Sequence, residues 1–151
     1  AAAMKAHDVL LGGESSGGLT IRGHILGKDG IFACALVVEM LARTRRSVAS
    51  LLEEIHSLVG RLEIVEENLP ATPELRVAVP KALAADRITA IAGYPVRRVS
   101  HEDGSKFYLE NDNWVLLRFS GTEPLLRIAA EADSAEKAQE LIAWMRQRVG
   151  V

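Results

Sequence analysis

Val48, Leu51, Leu52, Ile55, Leu58 and Val59 recur at intervals of three and four residues, and the amphipathic helix they predict runs from a Ser47 cap to Gly60. Just upstream, Asp29 can cap a helix over roughly Gly30 to Arg43 whose apolar residues are not confined to one side: Ile31, Phe32, Ala35, Leu36, Val37, Val38 and Leu41 surround it. A helix of that kind has to be covered on several sides. Only one short strand is legible before it, Val9 to Leu11, ending in Gly12-Gly13. Residues 1–60 therefore read as strand, long loop, helix, helix. The expectation is an incomplete α/β segment, completed by residues outside this chain or by another copy of it.

From Arg61 the pattern changes. Leu62 to Val65 reads as a strand, with Pro70 and Pro73 punctuating its exit. Leu75, Ala78, Val79 and Leu83 give helical spacing between Thr72 and about Ala85, where Pro80 is expected to kink or split the helix. Strands follow over Val96–Ser100, Lys106–Leu109, Trp114–Phe119 and Leu125–Glu131, separated by Asp103-Gly104, by Asn111-Asp112-Asn113 and by a loop at 120–124. Asp133 with Glu136 resembles a capping box for a last helix, in which Ala138, Leu141, Ile142, Met145 and Val149 form one stripe ahead of Gly150. The fold class is α+β. An antiparallel sheet of four strands, or slightly more, carries helices on one face over residues 61–151.

Composition narrows the function. The 151 residues are 48% hydrophobic, enough for a real core, and 18 Lys+Arg against 20 Asp+Glu leave a net charge of −2. A nucleic-acid surface needs an excess of cations, so no nucleic-acid partner is expected. The longest apolar run, Ile31 to Met40, contains Glu39 and falls far short of the roughly 20 residues of a membrane span, so no membrane partner is expected either. No signal peptide is visible, and one cysteine cannot form an internal disulfide; Cys34 reads as a buried thiol in a reducing, cytoplasmic setting. His7, His24, His56 and His101 are too scattered to suggest a zinc site.

Two loops carry candidate chemistry. Alternation places Trp114, Leu116 and Arg118 on one face of their strand, so Arg118 stands where the chain turns at Ser120-Gly121-Thr122. Small-residue turns expose consecutive amides to an anion, hydroxyls add donors, and a guanidinium supplies a planar fork for phosphate oxygens. Arg127 lies just beyond, and Pro124 restricts the exit. An ordinary turn with a solvent-exposed arginine is the competing reading. In Gly12-Gly13-Glu14-Ser15-Ser16-Gly17-Gly18, glycines flank a carboxylate and two hydroxyls, a set suited to accepting sugar hydroxyls; a plain solvent loop is the alternative. Gly13 to Thr20 is not a nucleotide P-loop, because Leu19 occupies the lysine position. Arg22, His24 and Lys28 gather cationic groups ahead of the helix start near Gly30, where an anion is favoured.

Together the two loops resemble the α-D-phosphohexomutases, the phosphoglucomutase and phosphomannomutase group. Gly13 to Gly18 is similar to that family's sugar-binding loop, Gly-Glu-x-Ser-Gly, and Arg118 to Pro124 to its phosphate-binding loop, Arg-x-Ser-Gly-Thr-Glu-Pro. Arg22-Gly23-His24 and Lys28-Asp29-Gly30 resemble the connecting segment of the bacterial phosphoglucomutase-like branch, and the likeness runs over nearly the whole chain. The resemblance implies that Glu14 and Ser16 contact sugar hydroxyls, that Arg118, Ser120, Gly121 and Thr122 hold the phosphate not being transferred, and that Lys28, supported by His24, faces the reacting end; Arg22 and Arg127 are further candidate substrate-binding residues. Ser15 and Gly27 depart from the common family residues and leave the preferred hexose open.

It also implies domains. Residues 1–60 would be the C-terminal part of an α/β sugar-binding domain three, and 61–151 a phosphate-binding domain four with a TATA-binding-protein-like fold. The family's phosphoserine and its Asp-rich Mg²⁺ loop have no counterpart motif in this sequence. Mg²⁺ and a glucose or mannose bisphosphate are therefore cofactors of the intact enzyme, none held by this chain's own residues. The implied partners are a hexose phosphate and the N-terminal domains of the same enzyme, and the chain alone is expected to be inactive. A non-catalytic phosphosugar- or anion-binding module is the alternative.

Overall fold

In a computed structural model, residues 4, 6, 8–13, 17–84 and 88–151 are described, and the chain divides into two compact units, Ala1–Val59 and Gly60–Val151.

In the first unit, β1 (Leu11–Gly13) pairs antiparallel with β2 (Leu19–Ile21), Gly12 lying opposite Thr20. A hairpin thus replaces the single strand and long loop expected from the sequence. Three residues, Leu19-Thr20-Ile21, are too short a run to show a period. Asp29 caps α1 (Gly30–Thr44) as expected, its Oδ1 accepting the Phe32 amide at 3.0 Å, and the helix stops at Arg45 in the left-handed region. Ser47 Oγ accepts the Ser50 amide at 3.1 Å to open α2 (Val48–Val59), which ends before Gly60 at φ +83°. No residue of either helix is buried; Ile31 is 87% exposed and Leu58 77%. Cys34 corrects the expectation of a buried thiol. It is exposed, because the apolar surface of α1 has no covering layer within this unit.

The second unit is a five-stranded antiparallel sheet in the order β3-β9-β8-β7-β6, formed by β3 (Glu63–Pro70), β6 (Arg98–Ser100), β7 (Ser105–Tyr108), β8 (Trp114–Phe119) and β9 (Leu125–Ala132). Val115, Leu117, Leu126, Ile128, Ala130 and Ala132 point to one face, where α3 (Pro73–Ala84) and α4 (Ala135–Val149) cover them with Val79, Leu141, Ile142 and Met145. Burying these side chains is what holds this unit together, at about 1.5–3 kcal/mol for each large one.

Three local readings change. β3 extends to Pro70, longer than the apolar run suggested, because Glu66, Glu67 and Asn68 are tolerated on an edge strand paired only with β9. α3 runs unbroken through Pro80: Pro73 fits the first helical position, Thr72 Oγ1 accepts the Leu75 amide at 3.3 Å, and buried Val79 packs the helix onto the core. Last, Ser134 rather than Asp133 caps α4, accepting the Lys137 amide at 3.2 Å, while Asp133 pairs with the Lys137 ammonium at 3.0 Å. A small hairpin, β4 (Ala90–Ile91) and β5 (Tyr94–Pro95), was not legible; it turns on Ala92 and Gly93, both at positive φ, and buries Ile91.

Candidate functional site

The turn after β8 is built by alternation and by one hydroxyl. Val115 and Leu117 point into the core, so Trp114, Leu116 and Arg118 emerge on the face without helices. The Ser120 amide donates to Leu125 O at 2.8 Å, closing the turn, and the amides of Thr122 and Glu123 converge on Ser120 Oγ at 3.4 and 3.2 Å. That oxygen accepts two hydrogen bonds and keeps its own proton to donate. A Cβ placed on Gly121 would meet open space, so neither packing nor backbone angle requires glycine there.

Arg118 donates from Nη1 to Asp103 Oδ2 at 2.6 Å, whereas its Nε is buried and has no hydrogen-bond partner among the described residues. Asp103 arrives on the β6–β7 connection, whose next residue, Gly104, has φ +85°; a Cβ there would collide with Leu117 O and lie 3.0 Å from Arg118 Cα and Cβ. In the sequence, Asp103-Gly104 was legible only as a turn. Arg127 lies opposite Arg118 in the ladder but uses Nε on Glu66 Oε1 and Asn68 Oδ1, each at 3.1 Å.

In the first unit, Lys28 and the glycine-rich hairpin line one cleft of about 380 Å³, bordered by Gly12, Gly13, Gly18, Thr20 and Leu26. The Lys28 stem lies so close to Gly18 that a Cβ there would come within 2.9 Å of Lys28 Cδ. A side chain at 18 would push the flexible Lys28 stem out of this position. Glu14 and Ser16, the expected sugar contacts, lie outside the described residues. Arg22 and His24 line a neighbouring cavity of about 290 Å³ that also touches Leu26. Arg22 Nη1 bonds Asp8 Oδ2 at 2.6 Å; His24 Nε2 lies 2.9 Å from Asp29 Oδ2, and its ring stacks on Phe32 at 4.1 Å. The Phe32 amide, and then His24, hold the Asp29 carboxyl below the ordinary aspartate range. The helix cap thus fixes His24 as well as α1.

Among the described residues no three of His, Cys, Asp and Glu gather as a metal site, and no helix is long and apolar enough to cross a membrane.

Comparison with known proteins points to one family in both parts of the chain. The phosphoglucomutase/phosphomannomutase alpha/beta/alpha domain III matches residues 1–58, and the phosphoglucomutase/phosphomannomutase C-terminal domain matches residues 74–147. A probable phosphoglucosamine mutase of Pyrococcus furiosus is 35% identical over 144 residues, covering 95% of this chain and 30% of that protein. A phosphoglucomutase/phosphomannomutase of Thermococcus kodakarensis is 32% identical over 142 residues, covering 94% and 29%. In fold, the chain resembles a phosphoglucomutase/phosphomannomutase family protein from Burkholderia thailandensis, with a TM-score of 0.70 at 23% identity over 98% of this chain and 29% of that one. The chain thus spans about 30% of the length of the relatives it matches. Both matched domains occur in the family's order, and the two loops fall inside them: the chain belongs to the α-D-phosphohexomutase family.

Proposed function

We propose that this chain is the substrate-gripping portion of a phosphohexomutase that interconverts hexose 1-phosphate and hexose 6-phosphate through a bisphosphate intermediate. Residues 1–60 act as the C-terminal part of a sugar-binding domain, Glu14 and Ser16 accepting and donating to hydroxyls, with Arg22 a further substrate-binding residue. Residues 61–151 act as the phosphate-binding domain, where Arg118, Ser120, Gly121, Thr122 and Arg127 hold the phosphate that is not transferred. Lys28 serves the reacting end, with His24 held nearby by Asp29.

One observation carries the phosphate reading. Arg118 ends β8 beside a turn in which Ser120 Oγ, accepting the Thr122 and Glu123 amides, keeps its own proton to donate, and no described atom outside its chain neighbours lies within 4 Å of where a Gly121 Cβ would stand. Positioning and electrostatic stabilisation are the protein's main contributions to phosphoryl transfer, so a rigid phosphate anchor is a substantial part of the enzyme. Mg²⁺ neutralises phosphate charge in such chemistry. In this reading the metal, the phosphoserine and the bisphosphate belong to the intact, cytoplasmic enzyme.

The test is titration of glucose 6-phosphate into the full chain by calorimetry or NMR. Arg118→Ala should weaken binding by at least about 1.5 kcal/mol, roughly tenfold, as for a charge-assisted hydrogen bond. An unchanged affinity removes Arg118 from the site. If the chain binds but nothing in its full-length parent turns over hexose phosphate, the non-catalytic phosphosugar module is the correct function.

A further inference from the structure

We infer that Asp103 is a positioning residue of the anion site: it holds one edge of the Arg118 guanidinium so that the remaining edge is presented in a fixed orientation. This deepens the phosphate reading of the 118–124 turn and rests on it. Three observations on the same few atoms carry the inference.

Asp103 Oδ2 takes Arg118 Nη1 at 2.6 Å, a short, charge-assisted contact. Arg118 Nε is buried, with no partner among the described residues, so the stem is packed and the guanidinium plane has little freedom except at its outer edge. Gly104, at φ +85°, seats the β6–β7 connection directly on β8, with no room for a Cβ between it and Arg118 Cα and Cβ. The acid is therefore delivered by backbone packing and not by a wandering surface side chain. Its own side chain is 73% exposed against 36% for Arg118. It lies outside the core and contributes little to stability, as exposed ion pairs generally do.

Two opposing effects act on an arriving phosphate. The Asp103 carboxylate repels a dianion and competes for the fork. Against that, a free arginine loses rotamer entropy on binding, and an arginine already clamped has less to lose. Water around the exposed Asp103 carboxylate weakens both its repulsion of a dianion and its pull on Arg118, but the Gly104 packing keeps the acid in place beside the guanidinium before any phosphate arrives. Positioning dominates.

The experiment measures binding of inorganic phosphate and of glucose 6-phosphate to the full chain carrying Asp103→Ala, Asp103→Asn or Arg118→Ala. Asp103→Ala should raise Kd about fivefold, and Asp103→Asn, which keeps an acceptor oxygen, should stay within about twofold of the native chain. Tighter binding in both Asp103 variants would make the acid a competitor and overturn the inference, as would equal weakening in both or no change in either. Arg118→Ala separates the two levels, since its failure to weaken binding sinks the anion site itself. A ligand-free readout stands beside these: the Arg118 Nη–H resonances should be ordered in the native chain and in Asp103→Asn, and lose order in Asp103→Ala. An unaltered resonance in Asp103→Ala overturns the inference even where no phosphate binds.

Discussion

Arg118 and Arg127 stand directly opposite each other across the β8–β9 ladder, and each has turned its guanidinium onto a different carboxylate, Asp103 for one and Glu66 for the other. Like charges facing across a sheet are destabilising. Here the acids come from the strand connections and edge on either side, so two cations are kept in the middle of the open face.

Glu66 should therefore matter more than an ordinary surface acid. Glu66→Ala is expected to destabilise the second unit by about 1 kcal/mol, and Arg127→Ala in the same chain should cancel most of that loss. Both tryptophans, Trp114 and Trp144, lie in this unit, so urea unfolding followed by fluorescence reports it. No effect of Glu66→Ala would mean that solvent already screens the two arginines.

Two glycines with different reasons make a paired prediction. Gly104→Ala meets both a positive φ and an occupied space, and should cost at least about 2 kcal/mol in the same unfolding assay. Gly121→Ala meets neither, and should leave stability within about 0.5 kcal/mol while weakening phosphate binding. Equal stability losses would show that Gly121 has a structural role after all.

Asp29 gives a signed pH dependence. Its folded carboxyl lies below the ordinary value because the charged form accepts the Phe32 amide and faces His24. The capping contribution is fully present above the unfolded value, about 3.9, and is lost as pH falls from there through the lower folded value. The Phe32 amide shift, followed by NMR, should titrate with a midpoint below that of a free aspartate. A midpoint at or above it would contradict the cap.

Hydrogen exchange should divide the chain. No residue of α1 or α2 is buried, whereas Ala138, Leu141, Ile142, Met145 and Val149 bury one face of α4. Amides of α1 and α2 should exchange by low-energy local openings, orders of magnitude faster than those of α4 and β9. Comparable protection in both sets would show that a second molecule covers the first unit in solution.

Much of the second unit was legible because its strands are bounded by strong punctuation. Asp103-Gly104, the Asn111-Asp112-Asn113 turn and Gly121 all fell between observed strands, and the stripe of the last helix matched its buried residues. What failed was local competition. Ser134 and Asp133 are both good caps, and only the path of the chain leaving β9 selected Ser134. Pro80 costs α3 one hydrogen bond, but burial of neighbouring Val79 holds the helix together.

The amino-acid order alone determined the family and the shortage of apolar cover around α1, because these depend on residue type and near-neighbour spacing. Tertiary structure alone decided that Asp103 meets Arg118, that Glu66 takes Arg127 and that Lys28 lies against Gly18. Asp103 and Glu66 reach their arginines through strand register, and Lys28 reaches Gly18 through the folding-back of a loop. Pairing of segments distant in sequence leaves no periodic trace along the chain.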